Sequence, residues 1–154
     1  MTPGTGDAPS GVRIAASLLW RALVAVAGLH AYWALGGTWA LHEASGGANS
    51  EATTSLRIQS AVIAILLVAA CMVVRARAGL LQAPVSDRVM SVAMWAVTAV
   101  LGLTAVANFA AATNWERLAI GPFVLVLALL SLIVAGAGAA WNRTHQSHRT
   151  LASH

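Results

Sequence analysis

The chain has 154 residues, of which 58% are apolar and only 9% charged, a balance that does not describe a surface facing water. Nine arginines, no lysine and five acids leave a formal net charge of +4. The arginines lie between long apolar runs, not in a cluster that follows a phosphate backbone, which argues against nucleic-acid binding. The single cysteine, Cys71, excludes an internal disulfide framework, a CxxC redox pair and a thiolate zinc site.

Residues 1–12 are rich in Gly, Pro, Thr and Ser and hold too few apolar groups to pack, so a disordered tail is expected over about 1–13. Four segments free of Asp, Glu, Lys and Arg follow, at 22–41, 58–74, 89–115 and 118–142. A helix rises about 1.5 Å per residue, so about 20 residues cross a hydrocarbon core of roughly 30 Å, and the shortest segment reaches that with its flanking arginines snorkelling. Helices are expected at about 14–41, 52–78, 87–112 and 118–142. Trp20 and Trp39 bracket the first and Trp115 and Trp141 the fourth, where amphipathic rings prefer to lie. Arg13 and the run Ala25-Val26-Ala27 suggest a cleaved signal peptide, but Arg21 interrupts the apolar region and the pattern continues to Leu41, so the first helix is expected to stay. The second helix should end near Gly79. Pro84 followed by Ser86-Asp87 reads as a stop and an N-cap for the third, and Gly121-Pro122 as the start of the regular course of the fourth. A basic flexible tail over 143–154, with Arg143, His145, His148 and Arg149, is expected to be drawn to anionic lipid. The expected fold is all-α, a polytopic membrane protein with four transmembrane helices in an up-down-up-down antiparallel bundle. No internal repeat of the inverted-topology transporter kind is present.

Arg13, Arg21, Arg75, Arg77, Arg88, Arg143 and Arg149 flank one side, and only Arg57 and Arg117 the other. The positive-inside rule then puts both termini in the cytoplasm of a cell whose inner (plasma) membrane holds the protein. The outer loops, about 42–55 and 113–117, carry Glu43, Glu51 and Glu116. Small-residue pairs four apart, Ala107 with Ala111, Ala135 with Ala139 and Gly136 with Ala140, suit close helix approach or a homo-oligomer, but equally reflect an alanine-rich composition.

His30 is the only histidine inside a span, and it opens the run from His30 through Tyr32, Trp33 and Gly37 to Trp39. On a continuous helix positions 30, 33 and 37 share a face, with Gly37 admitting a neighbour or ligand close to the backbone. A polar ring nitrogen in lipid needs a partner, because an unsatisfied group there costs several kcal/mol. Thr104 and Asn108, one turn apart on the third helix, are the expected partners, and Glu116 is the nearest plausible carboxylate. In one reading His30 and Asn108 bond across the bundle and fix its register. In the other, His30, Tyr32, Trp33, Gly37, Thr104, Asn108 and Glu116 line a pocket opening outward.

Other chemistries fail on counting. A bis-histidine haem needs two imidazoles within the membrane, and His42, His145, His148 and His154 lie outside it. A proton-coupled small multidrug exporter needs an acid inside a span, and a quinone-linked thiol oxidase needs paired cysteines. Cys71 reads as a packing residue, and Met90 and Met94 as core filler. No metal and no cofactor is expected.

With its His-x-x-Trp-x-x-Gly-Gly core at His30, Trp33, Gly36 and Gly37, followed by Asn108, Glu116 and Gly121-Pro122, the chain resembles an uncharacterised bacterial family of small four-helix integral membrane proteins, common in actinobacteria. The resemblance runs from about Arg21 to Trp141. It implies a four-helix architecture and no activity.

Three functions remain. The first is a binding or accessory protein whose outer half holds a small amphiphile or a partner's transmembrane helix. The second is a membrane enzyme on a lipid-soluble substrate, with His30 as acid or base and Glu116 or Glu51 tuning it. The third is a purely structural oligomeric subunit.

Overall fold

The structure is a computed structural model that describes residues 9–44, 51–82 and 84–151, with side chains described at 9–42, 51–82 and 84–137. The described residues are helical, with no strand among them: α1 at Ser10–Ala34, a single turn α2 at Leu41–Ala44, α3 at Thr54–Arg77, α4 at Asp87–Ala110, and a π-helical turn at Glu116–Ile120 that runs straight into α5 at Gly121–Leu151. Four stretches are long and apolar enough to cross a membrane: α1, α3, α4, and the π turn with α5 as far as Ala137.

The helix ends follow turn chemistry more closely than hydropathy. α1 starts at Ser10, inside the expected tail, and stops at Ala34, well short of the expected 41. Gly36 takes a φ of 98°, which a side chain resists. Its N–H donates to the Trp33 carbonyl (2.9 Å) while the Gly37 N–H donates to the Tyr32 carbonyl (3.0 Å), the paired bonds of a Schellman stop. α3 ends the same way: Gly79 has a φ of 70°, its N–H donates to Ala76, and the Leu80 N–H donates to Arg75 (2.8 Å). At the helix starts, Thr53 Oγ1 accepts from the Leu56 N–H (3.4 Å) and Ser86 Oγ from the Val89 N–H (3.5 Å). Ser86 and Asp87 thus act as the sequence suggests, whereas α3 has already stopped at Arg77, before Pro84. The backbone of α5 stays helical through Leu151, across most of the segment expected as a flexible tail. The expectations for residues 1–8 and 152–154, for the loop at 45–50 and for the side chains of Glu43, Ala139, Ala140, Trp141, Arg143, His145, His148 and Arg149 lie outside the described residues.

α1 packs chiefly on α3, and α4 chiefly on α5; contacts of α1 with α5 and of α3 with α4 close the ring. α1 and α4 therefore face each other across a diagonal with little or no direct packing. Cys71 Sγ on α3 donates to the Trp20 carbonyl (3.5 Å), and Arg57 Nε donates to the Ala34 carbonyl (3.0 Å), so α1 and α3 run antiparallel.

The continuous core lies in the half of the bundle that includes Arg21 and Arg75. It joins Ala15, Leu19 and Leu23 of α1 to Cys71 and Val74 of α3, Met94 of α4 and Leu127 and Val134 of α5. Cys71 and Met94 are packing residues there, as expected. Ala135 is buried among the small residues, whereas Gly136 meets nothing and Ala107 is exposed. Outward, α3 and α4 present apolar side chains such as Ile65 and Leu103, a surface that suits lipid and not water.

Candidate functional site

The buried positions of α1, Ala16, Leu19, Leu23 and Ala27, step along one face by threes and fours, and the next step is His30. His30 therefore lies on the core-facing stripe, one turn before the helix stops. Trp33, only 6% exposed, meets it edge to face, with ring centroids 5.0 Å apart and an interplanar angle of 83°. The Trp33 indole is fixed in turn, because its Nε1–H donates to the Trp39 carbonyl (2.9 Å) in the returning segment after α1.

His30 Nδ1 is buried and has no hydrogen-bond partner among the described residues. The partners expected for it are engaged elsewhere. Asn108 Nδ2 donates to the Thr104 carbonyl (2.8 Å) one turn back on its own helix, and Thr104 Oγ1 donates to the Val100 carbonyl (2.8 Å). Both satisfy themselves along α4, which sits diagonally from α1. Glu116 Oε2 accepts from the Thr113 hydroxyl (2.6 Å), and Thr113 Oγ1 accepts from the Glu116 N–H (3.3 Å), so Thr113 caps the short helical stretch that leads into the π turn. His30 and Trp33 are thus brought together, while Thr104, Asn108 and Glu116 are held in local hydrogen bonds on other elements.

Gly37 and Tyr32 form a separate unit. Because α1 has ended, Gly37 does not share the face of His30; the Tyr32 ring lies on it so closely that a Cβ built there would fall among the ring atoms. Tyr32 itself is 45% exposed. The glycines of the His-x-x-Trp-x-x-Gly-Gly run are here a helix stop and a seat for a ring, not an opening for a ligand.

Arg57 and Arg117 enter the site region in a way that counting charges does not reveal. Arg57 Nε donates to the Ala34 carbonyl at the end of α1, and Arg117 Nε to the Phe109 carbonyl (3.3 Å) at the end of α4. Both meet carbonyls left without intrahelical partners at the negative ends of helix dipoles. Among the described residues no three His, Cys, Asp or Glu side chains gather to hold a metal.

A family model described as "Protein of unknown function (DUF3995)" matches residues 23–130, most of the chain, including the whole run from His30 to Gly37. The chain belongs to DUF3995. No curated protein and no solved structure matches it. For this DUF3995 protein the family thus agrees with a small four-helix membrane architecture and brings no activity with it.

The His30 half of this DUF3995 protein has buried side chains of its own. Its buried side chains, among them Ala27, Trp33, Leu41, Ala105 and Val124, lie outside the continuous core at the other end. The buried, unpartnered Nδ1 of His30 is the local chemistry on which a site reading has to rest.

Proposed function

We propose that this protein is a binding or accessory protein of the bacterial inner membrane, which takes a small amphiphile into the outer half of an up-down-up-down bundle through a hydrogen bond to His30. Both termini lie in the cytoplasm in this reading, with the arginine-rich end inside. The observation that carries it is the buried, unpartnered Nδ1 of His30, since such a group costs about 1–3 kcal/mol unless something bonds it. The occupant is a molecule with an apolar body and one hydroxyl or amide able to pair with an imidazole nitrogen.

Native mass spectrometry of the protein released from mild detergent, wild type beside His30→Ala, tests this. A bound small molecule lost on substitution supports the proposal and gives the chemical class of the ligand. A ligand-free wild-type oligomer that dissociates on substitution overturns it and makes His30 a packing residue.

A further inference from the structure

The opposite end of the bundle holds a second arrangement, independent of His30. The Trp20 indole of α1 has two guanidinium groups against it: Arg21 Cζ lies 5.7 Å from the ring centroid and Arg75 Cζ, from α3, lies 5.4 Å away. By those distances the two Cζ atoms lie no more than about 11 Å apart, so one anionic group can reach both. Among the described residues neither guanidinium has a carboxylate partner, and the Trp20 Nε1–H has no protein acceptor. The one described carboxylate at this end, Asp87, sits in the first turn of α4, where the helix N–H groups attract it. Arg77, on the other side of α3, reaches Ser91 of α4 (3.5 Å) and leaves its buried Nε without a partner among the described residues.

From this cluster we infer a binding site for the phosphodiester of an anionic phospholipid, formed by Trp20, Arg21 and Arg75 at the α1–α3 seam. Guanidinium groups pair with phosphate oxygens through charge-assisted, often bidentate bonds, and an indole N–H adds a third donor. Attraction to the ring faces keeps the two like charges in place when no anion is present. The anion is that of a lipid, not a free phosphate, because exposed apolar side chains continue from the cluster toward the middle of the bundle. Val24 follows Arg21 on α1, and Met72 and Val68 precede Arg75 on α3, giving acyl chains a path beneath the headgroup. Specific basic pockets of this kind at helix ends add to the general attraction of anionic leaflets for arginine.

The test is a native mass-spectrometry titration of the full chain in dodecyl maltoside with phosphatidylglycerol and, separately, phosphatidylcholine of the same acyl chains. Wild type should bind phosphatidylglycerol at least tenfold more tightly. Arg21→Gln and Arg75→Gln should each weaken that binding about fivefold, and weaken the binding of phosphatidylcholine, whose choline offsets the phosphodiester charge, much less. Arg88→Gln, which removes a charge from the same end but not from the cluster, should leave the preference intact. Trp20→Phe keeps the ring but removes the N–H donor, and should weaken phosphatidylglycerol binding in a protein whose circular dichroism is that of wild type. Equal affinity for the two lipids, a loss with Arg88→Gln as large as with Arg75→Gln, or displacement of the lipid by equimolar glycerol phosphate would each overturn the assignment.

Discussion

Replacing His30 by leucine keeps the side-chain volume of that position and removes its polarity. Relief of the orphaned Nδ1 is worth about 1–3 kcal/mol, and loss of the edge-to-face contact with Trp33 costs about 0.5–1.5 kcal/mol. The balance is a gain of about 1 kcal/mol for ligand-free protein, or roughly 3 °C in Tm for a chain of this length. His30→Ala behaves differently, because it also empties the volume beside Trp33 and should lose about 2 kcal/mol. Equilibrium unfolding in mixed micelles of dodecyl maltoside and SDS, followed by tryptophan fluorescence, reads both variants against wild type. A His30→Leu protein less stable than ligand-free wild type by 1 kcal/mol or more (on the order of the hydrogen bond at issue) would refute the reasoning. Nδ1 would then have a structural partner, such as a buried water, and the argument for an occupant would lose its basis.

The remaining predictions concern the frame around the site. Gly37→Ala should cost about 1–3 kcal/mol through overlap with the Tyr32 ring, and the same change in a Tyr32→Ser background should cost under about 0.5 kcal/mol; equal costs in both backgrounds would remove the ring from the explanation. Gly36→Ala, at a φ of 98°, should cost about 1–2 kcal/mol whatever stands at 32, measured by the same unfolding assay. Arg57→Met should destabilise by about 1 kcal/mol through loss of the bond to the Ala34 carbonyl, with amide hydrogen exchange rising at the end of α1 before anywhere else. Glu116→Gln should leave ligand retention at the wild-type level in native mass spectra, because the carboxylate is bonded to Thr113 and not to His30; loss of ligand would restore Glu116 to the site.

Hydropathy and charge made the four spans and most of their caps legible, since lipid leaves a chain few alternatives to apolar helices. Hydropathy alone runs the first helix on to Leu41, because Leu35 to Leu41 stays uncharged and offers no solvent boundary. The pair Gly36-Gly37 carried the stop signal, and in a helix C-terminus turn chemistry outweighs hydropathy. Gly37 shares the face of His30 only on a helix that continues past Ala34, and α1 ends there. Thr104 and Asn108 were misplaced for a different reason. Nearly every face of α4 is apolar, so periodicity does not fix its rotation, and both side chains found acceptors one turn back. The ring order itself held a warning, because the first and third spans of a sequentially closed bundle sit on a diagonal. Thr113, three residues before Glu116, was a capping-box signature in plain sight. Nothing in the sequence distinguished Arg57 and Arg117 as caps from arginines that merely flank a span.

The unequal packing around the ring bears on how the protein is made. Each of the two strongest pairings, α1 with α3 and α4 with α5, joins spans that are consecutive in the chain. The first hairpin can thus close in the bilayer while the second is still being synthesised, and the two halves then dock through the weaker seams as independently stable helices do. The loop between Arg77 and Asp87 is consequently the natural place to divide the gene, and two fragments cut there and expressed together should reassemble into one bundle.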